Sequence, residues 1–326
     1  MGKTILVTGG SGFLGSALVR RLVRDGHCVR VMDNNSRGDL RRLAEVIDDC
    51  EFIQADIREP QPVADAIQGV DCVCHLAYVN GTRFFYEKPD LVLDVGVKGM
   101  VNVIDGCMKH GVGDLVVASS SEVYQTPPTV PTDESAPLSI PDITNPRYSY
   151  GGGKILSELM TMNFGRAHFE RAVIFRPHNV YGPDMGGEHV LPEFILRMKK
   201  LKGSVEGRVP FPIQGTGQET RAFIYVDDFI DGLNTVIEKG EHLGIYHIGT
   251  DEEITIADAA TEVGNYFGRE IEVRPGKLQA GGTLRRCPDI SKLRSLGFAP
   301  KTSFKDGVPL IARWYDENSG LFEDTE

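Results

Sequence analysis

The chain has 326 residues, 41% of them hydrophobic and 25% charged, and its formal net charge is -11. This composition is typical of a soluble globular protein, and the length suits one large domain or two that share a core. The acidic balance, without Lys and Arg interleaved with aromatic residues, argues against a nucleic-acid partner. No stretch approaches the roughly 20 apolar residues of a membrane span, which argues against a membrane partner.

The six cysteines lie at positions 28, 50, 72, 74, 107 and 287, and no pair of them has the spacing of metal ligands. Because they are scattered along the chain, we expect free thiols in a reducing compartment. A strand is predicted from residue 4, which leaves no room for a signal peptide. The sequence therefore predicts a cytoplasmic protein without a metal site.

The first predicted strand covers residues 4–8 and leads into a turn with the pattern Gly9-x-x-Gly12-x-x-Gly15. A helical pattern of apolar residues follows, so the glycines lie between a strand and a helix, as in a dinucleotide-binding turn. Gly9 allows a tight turn, Gly12 lets a pyrophosphate approach the helix N-terminus, and Gly15 lets the helix lie close to the strand. The alternative is an ordinary glycine-rich turn before a helix.

The second predicted strand, residues 29–32, ends at Asp33. An acidic residue roughly 20 residues beyond the glycines meets the adenosine ribose hydroxyls in dinucleotide-binding folds. A carboxylate there repels a 2′-phosphate, so the sequence favours NAD over NADP. Arg37 and Arg41 lie close by in the sequence and keep NADP as the alternative.

Strands and helices alternate through the first half of the chain, which predicts an α/β fold with a doubly wound parallel sheet. Further strands are predicted at residues 51–55, 70–77, 114–118 and 171–176, and long helices at about 90–110 and 150–168. After residue 176 the alternation breaks down. We therefore predict a Rossmann domain at residues 1–176, completed by about 216–249. Residues 177–215 and 250–326 are predicted to form a smaller, mixed lobe that binds the substrate.

Tyr150 and Lys154 are four residues apart in a predicted helix, which places both side chains on one face, one turn apart. A lysine ammonium beside a phenol favours the phenolate, and so does the charge of an oxidised nicotinamide. Such a phenolate can take the proton of an alcohol while the hydride leaves. The helix follows a strand that ends in a serine cluster at residues 119–121, where ligands bind in parallel sheets. A surface pair is the alternative.

With these motifs the chain resembles the extended short-chain dehydrogenase/reductase family, in particular its nucleotide-sugar epimerases and dehydratases. The resemblance covers nearly the whole chain and is specific to the family, though not to one substrate. Its further motifs are Asp56, His75-Leu76-Ala77, Ser119-Ser120-Ser121-Glu122-Val123-Tyr124, Arg176-Pro177-His178-Asn179-Val180-Tyr181-Gly182-Pro183, Arg221-Ala222-Phe223-Ile224-Tyr225-Val226-Asp227-Asp228 and Asp289-Ile290-Ser291-Lys292.

The resemblance implies a role for each site residue. Tyr150 is expected to be the base, Ser120 to hydrogen-bond the reacting sugar hydroxyl, and Lys154 to hold the nicotinamide ribose. The residues expected to contact NAD are Gly9, Gly12, Phe13, Leu14, Gly15, Asp33, Asn34, Asp56, Ile57, Leu76, Ala77, Tyr150 and Lys154. Those expected to contact the nucleotide sugar are Ser120, Ser121, Asn179, His189, Arg221 and Arg285, the two arginines as a clamp on the diphosphate; solvated surface arginines are the alternative.

The chain departs from the family pattern at three places. Gly96 stands where the family usually has Asn, and residues 151–153 are all Gly where Ala or Ser is usual. Tyr78 stands where a small residue commonly follows His-Leu-Ala, and it is expected to narrow the pocket. Three glycines cost a helix up to about 1 kcal/mol each relative to Ala.

The resemblance implies an NAD-dependent nucleotide-sugar epimerase/dehydratase of a polysaccharide or sugar-antibiotic pathway. Transient oxidation is expected at C4 of the hexose, with NAD regenerated in each turnover. C4 epimerisation is the leading reaction and a UDP-sugar the leading substrate. The main alternative is a 4,6- or 5,6-dehydratase or a decarboxylase, in which Glu122 acts at C5.

Two lesser alternatives come from other functional classes. Asp33 and the arginine clamp argue against a net oxidoreductase of apolar substrates. The joint presence of Ser120, Tyr150 and Lys154 argues against a non-catalytic NAD-binding regulator. The helices near 90–110 and 150–168 resemble those that the family pairs in a four-helix bundle, so a homodimer is expected.

Overall fold

The structure is a computed structural model that describes residues 2–203, 206–277 and 283–322. Residues 278–282 and 323–326 of the predicted substrate lobe lie outside the described part. The strands are β1 (Thr4–Thr8), β2 (Cys28–Asp33), β3 (Cys50–Gln54), β4 (Cys72–His75), β5 (Asp114–Ala118), β6 (Arg171–Pro177), β7 (Val180–Tyr181), β8 (Val209–Pro212), β9 (Thr220–Ala222), β10 (Ile224–Tyr225), β11 (Ile245–Ile248), β12 (Glu253–Thr255), β13 (Ile271–Arg274) and β14 (Arg285–Arg286).

The helices follow the same order along the chain. They are α1 (Phe13–Arg24), α2 (Pro60–Ile67), α3 (Thr82–Glu87), α4 (Pro89–His110), α5 (Tyr148–His168), α6 (Val190–Leu201), α7 (Val226–Lys239), α8 (Ile256–Tyr266), α9 (Ser291–Ser295) and α10 (Phe304–Glu317). Among the described helices, none has the length and hydropathy needed to cross a membrane.

Seven described strands form one parallel sheet in the order β11-β6-β5-β4-β1-β2-β3. The strand order reverses direction on either side of β1, so the carboxyl ends of β1 and β4 flank the crevice where doubly wound sheets bind ligands. The predicted doubly wound α/β fold is confirmed. The boundaries between the Rossmann domain and the substrate lobe stay a prediction.

The sheet is buried on both faces because its strands alternate apolar side chains toward opposite sides. On one face Ile5 and Val7 belong to a core that also contains residues of α1 and α7. On the other face Leu6 and Val73 belong to a second core with residues of α2 and α4. This double layer holds the carboxyl ends of the strands rigidly in place.

Three small sheets lie beyond the large one: β10 with β7, β13 with β8, and β12 with β9 and β14. Strand β14 runs parallel to β9, and their register places Arg286 opposite Arg221 and Arg285 opposite Thr220. Because neighbouring residues of a strand point to opposite faces, Arg285 and Arg286 face different surroundings.

Candidate active site

The glycine turn after β1 forms a cradle that only glycine allows. Gly9 has a φ of +73°, and a Cβ there would lie 2.7 Å from the backbone nitrogen of Ala77. A Cβ at Gly15 would overlap the carbonyl oxygen of Gly9. Gly12 is the N-cap of α1 and brings no side chain to the helix N-terminus. The free N–H groups and the helix dipole favour an anion at this point, so the turn fits the pyrophosphate of a dinucleotide.

Asp33 lies at the end of β2 beside this turn. Its carboxylate accepts hydrogen bonds from the backbone nitrogens of Ser11 at 3.1 Å and Asn35 at 2.9 Å. Of the arginines nearby, Arg37 lines the cleft and lies 3.5 Å from the carboxylate of Glu188. Arg41 lies 2.7 Å and Arg42 3.0 Å from the carboxylate of Asp184. The acidic side chain thus faces the ligand position with these two cations neutralised.

Asp56 is predicted to contact the cofactor, but its carboxylate accepts hydrogen bonds from other residues of the protein. Arg58 donates to it at 2.8 Å and Asn34 at 2.9 Å. The hydrogen bond from Arg58 lowers the pKa of Asp56 to about 2. Its neighbours Ala55 and Ile57 line the ligand cleft instead.

A cleft with a volume of about 450 Å³ runs from the glycine turn to the end of β5. This volume lies within the range of small-molecule sites. The predicted site residues that line it are Gly9, Gly12, Phe13, Leu14, Gly15, Asp33, Asn34, Ile57, Leu76, Ala77, Ser120, Ser121, Glu122, Tyr150, Lys154, Asn179 and His189. The structure thus brings together the cofactor and catalytic residues that the sequence places far apart.

Tyr150 lies in the first turn of α5 and is 7% exposed. Its ring stacks on Phe85 with centroids 4.9 Å apart. Burial raises the pKa of Tyr150 to about 12; a hydrogen bond with Ser120 opposes this shift and the charge of Glu122 adds to it. The hydroxyl is therefore protonated at neutral pH in the protein alone. A nearby positive charge is required to bring it toward the phenolate.

Lys154 lies one turn further along α5 and is 4% exposed. Its Nζ donates to the carbonyl oxygen of Ala118 at 2.7 Å and lies 5.9 Å from the centre of the Tyr150 ring. Burial lowers the pKa of Lys154 to about 7, against the opposing charge of Glu158. Near neutral pH the amine is therefore partly protonated, and its charged form beside Tyr150 favours the phenolate.

A buried ion pair anchors α5 to the strands behind the catalytic pair. Arg176 Nη2 lies 2.6 Å from Glu158, and the two side chains are 2% and 5% exposed. Ser119 donates a hydrogen bond to the same carboxylate. This network fixes the ends of β5 and β6 relative to α5, so Ser120 and Tyr150 keep their relative position.

Glu122 lies in the cleft within a group of cations. Arg286 Nη1 is 2.6 Å from Glu122 Oε1, and Arg147 Nη2 is 3.8 Å from Oε2. Burial raises the pKa of Glu122, but Arg286, Arg147 and Arg221 together outweigh it, and the net pKa lies below the ordinary value. The side chain is therefore a carboxylate at neutral pH.

The two arginines expected to clamp the diphosphate occupy different positions. Arg221 is half-buried and does not line the cleft; it donates to the carbonyl oxygens of Thr220 and Thr283. Arg285 is exposed and pairs with Glu253 at 2.5 Å. The structure places Arg286, and not Arg285, at the cleft, because strand alternation turns the two side chains to opposite faces.

The remaining predicted substrate residues, Asn179 and His189, line the cleft after β6 and at the start of α6. Asn179 adopts a φ of +41° and donates through Nδ2 to the carbonyl oxygen of Ala222 at 3.3 Å. His189 is the N-cap of α6, and burial, with the nearby charge of Arg37, lowers its pKa. Both residues line the same cleft as Tyr150 and Lys154.

Sequence reasoning missed three contributors: Arg286, Arg147 and Phe85. Arg147 precedes Tyr150 by three residues, so helical spacing could have suggested that it shares the catalytic face. Phe85 lies in α3, and only its stacking on Tyr150 reveals a role. Arg286 depends on a strand register that no local pattern encodes.

Comparison with known proteins gives consistent results. The sequence model of the NAD dependent epimerase/dehydratase family matches residues 5–249. The chain is 32% identical over 313 residues to UDP-glucuronic acid decarboxylase 6 of Arabidopsis thaliana, covering 94% of this chain and 87% of the relative.

Two solved structures share the whole fold. A double mutant of the dTDP-glucose 4,6-dehydratase from Streptomyces venezuelae, crystallised with NAD, has a TM-score of 0.86, 30% identity and 98% coverage of both chains. A UDP-glucose 4-epimerase of Thermus thermophilus in complex with NAD has a TM-score of 0.83, 27% identity, and coverage of 96% and 98%. The chain is thus similar to enzymes of three different reactions.

Proposed function

The chain belongs to the NAD-dependent epimerase/dehydratase family, and from this premise we propose that it alters the sugar of a nucleoside diphosphate sugar through transient oxidation at C4. C4 epimerisation is the leading reaction and a UDP-sugar the leading substrate. The observation that carries this proposal is the convergence of Ser120, Tyr150 and Lys154 on one cleft that begins at a dinucleotide-binding turn.

The turn after β1 would hold the pyrophosphate of NAD, and Asp33 its adenosine ribose. Gly9 and Gly15 support this assignment, since a side chain at either position would meet backbone atoms. Asp33 favours NAD because a 2′-phosphate would face like charge while Arg41 and Arg42 are engaged by Asp184. When bound, NAD takes up the hydride from the sugar and supplies the positive charge that lowers the pKa of the phenol.

Tyr150 would act as the base in the oxidation. Ser120 lies within hydrogen-bonding reach of the Tyr150 hydroxyl and would orient the reacting sugar hydroxyl between them. The charged Nζ of Lys154 would lie close to the phenol, held there by its hydrogen bond to the carbonyl oxygen of Ala118. The phenolate takes the C4 hydroxyl proton, and the phenol returns it once the 4-keto sugar has been reduced from the opposite face.

The nucleotide end of the substrate would bind on the side of the cleft lined by Arg286, Asn179 and His189. Arg286 supports this because it lines the cleft and is almost fully buried. A planar guanidinium suits diphosphate oxygens. Asn179, Ser121 and His189 line the same cleft and would meet the sugar and diphosphate, while Arg221 would act from behind Arg286.

A second reaction is favoured by one observation, the position of Glu122 in the cleft as a carboxylate. A 4-ketone acidifies the proton at C5, and a carboxylate near C5 could remove it in a dehydratase. In a decarboxylase the same ketone would let the C5–C6 bond break with loss of carbon dioxide, and C5 would then take up a proton from an acid beside it. Turnover of the true substrate in heavy water separates the two reactions. Deuterium at C5 with wild type but not with Glu122→Gln supports C5 chemistry, and a deuterium-free product with its C4 hydrogen retained supports epimerisation.

The experiment that tests the proposal is incubation with a panel of UDP-, GDP-, CDP- and dTDP-sugars. Products are separated by chromatography and identified by mass spectrometry. An epimer keeps the substrate mass, whereas dehydration loses water and decarboxylation loses carbon dioxide. Tyr150→Phe is the matched control. A panel without any converted sugar, using protein that binds NAD, would contradict the proposal.

We propose a homodimer formed through α4 and α5. These helices pack against each other and leave large apolar side chains exposed, among them Leu93, Met108 and Leu159 at 41%, 42% and 55%. A monomeric mass by light scattering at micromolar concentration would contradict this.

We also propose a cytoplasmic location, supported by the six free cysteine thiols.

A further inference from the structure

The phenol of Tyr78 fills a notch between α4 and α5 beside the catalytic pair, and the residue lines the cleft. A Cβ at Gly96 in α4 would overlap its hydroxyl, and so would a Cβ at Gly153 in α5. The two glycines therefore leave the space that the phenol occupies. Ala at either position would force the ring to move.

The ring of Tyr78 contacts both members of the catalytic pair. The Nζ of Lys154 lies 3.9 Å from its ring centre, closer than to the ring of Tyr150. Tyr150 meets the ring edge-on, with centroids 5.2 Å apart and planes at 87°. Lys154 is thus held between the carbonyl oxygen of Ala118 and the negative face of an aromatic ring.

The hydroxyl of Tyr78 is buried and has no hydrogen-bond partner among the described residues. Burying a hydroxyl without a partner is unfavourable. The hydroxyl therefore adds no hydrogen bond within the described protein, whereas the ring face against a buried amine explains an aromatic residue at this position.

We propose that Tyr78 is a positioning residue whose ring face holds the Lys154 ammonium charged and beside Tyr150, in space that Gly96 and Gly153 provide. The roles of Lys154 and Tyr150 in the reaction rest on the proposed function. The contact itself does not, so it can be tested without any substrate.

Several groups face Lys154 from the elements packed around it. Glu158 and Tyr150 lie on its own helix, and His75 lies on β4. Burial and the charge of Lys154 lower the pKa of His75 to about 3, so this ring is neutral near pH 7. Glu158 is paired with Arg176 and cannot move toward the ammonium. The ring of Tyr78 is thus a stabilising contact that can be removed without removing a charge.

The first experiment measures the pKa of Lys154 by NMR titration of protein labelled with carbon-13 at the lysine Cε, with Lys154→Met to assign the signal. Tyr78→Leu keeps the site apolar but removes the ring face, so the pKa of Lys154 should fall by about 0.5 to 1.5. Tyr78→Phe keeps the ring face and should restore the wild-type value. An unchanged pKa in Tyr78→Leu, or an equal fall in Tyr78→Phe, would overturn the proposal.

The second experiment tests the notch through unfolding midpoints in urea. Gly153→Ala should lower the midpoint in the wild-type background and have no such effect in Tyr78→Leu, because the overlapping group is gone. Gly152→Ala is the matched control, since its Cβ would meet only the flexible end of Ile140, at 3.3 Å. Equal effects of Gly153→Ala in both backgrounds would contradict the fit between the residues.

The third experiment joins the contact to turnover. Charged Lys154 is lost as pH rises through its pKa, so the alkaline limb of the kcat profile should shift to lower pH in Tyr78→Leu and return in Tyr78→Phe. A lysine pKa that falls without movement of this limb would leave the contact intact and refute the assigned role of Lys154 in the reaction. An alkaline limb that moves without a change in the lysine pKa would overturn the proposal for Tyr78.

Discussion

The pairing of Arg286 with Glu122 leads to a prediction that distinguishes Arg286 from its neighbour Arg285. Arg286→Gln removes the cation 2.6 Å from Glu122 and leaves Arg147 at 3.8 Å. The side chains of Arg286 and Glu122 are 11% and 23% exposed. Breaking a buried pair costs about 3–5 kcal/mol and an exposed pair less than about 1 kcal/mol. Because one cation remains, we expect a loss of about 1–3 kcal/mol in the free energy of unfolding near neutral pH.

The pH dependence of this loss follows from the pKa of Glu122. In the folded protein that pKa lies below the ordinary value of 4.5. The carboxylate therefore contributes stability that is present above the unfolded pKa and is lost as pH falls through the folded pKa. Without Arg286 the folded pKa rises and Glu122 takes up a proton at higher pH. The difference between wild type and Arg286→Gln should thus shrink toward about pH 4.

Urea denaturation of wild type, Arg286→Gln, Glu122→Gln and the double variant, near neutral pH and near pH 4, measures both effects. Arg285→Gln is the matched control: its pair with Glu253 is 51% and 21% exposed and should contribute little to stability. Arg286→Gln should also raise KM for the nucleotide sugar roughly tenfold to a hundredfold, the value of a charged hydrogen bond. A deficit independent of pH, or an equal KM effect of Arg285→Gln, would refute the reasoning.

Three further predictions test single residues. Tyr150→Phe should keep NAD binding and lower kcat by roughly 10²- to 10⁴-fold, because it removes only the proton acceptor; single-turnover kinetics would measure this. Asp33→Asn should weaken the preference for NAD over NADP in fluorescence titrations, because the like charge is gone. In denaturation, Gly152→Ala should stabilise α5 by about 0.5–1 kcal/mol, whereas Gly151→Ala should destabilise it because its Cβ would lie 2.6 Å from Gln125 Nε2.

The parts of the structure that depend on local sequence could be predicted. The strands expected at 4–8 and 114–118 are observed with those bounds, and the helix expected at about 90–110 is α4. The glycine turn, Asp33 and the pair Tyr150 and Lys154 line one cleft. Each of these features is specified within a few residues, by apolar periodicity or by a spacing of three or four.

The parts of the structure that depend on contacts between distant segments could not be predicted from the sequence. Arg285 and Arg286 are equivalent in a local pattern, and only the register of β14 on β9 decides which one faces the cleft. Within the run of glycines at 151–153, positions 151 and 153 have separate causes. Gly151 meets Gln125 and the backbone of Glu122, and Gly153 meets Tyr78. No spacing along the chain contains this information, because every partner comes from another element.

The environment of Glu122 bears on the choice between the two candidate reactions. A base at C5 must be basic enough to take a carbon-bound proton, and the cations around Glu122 lower its pKa. Arg286 cannot lie 2.6 Å from this carboxylate and give the same N–H groups to a diphosphate. If the diphosphate takes Arg286, Glu122 loses its strongest partner and becomes more basic. C5 chemistry thus requires Glu122 to be freed from Arg286, whereas C4 epimerisation uses Tyr150 as its base and needs no basic Glu122 whether or not the substrate displaces the pair, so epimerisation stays the leading reaction.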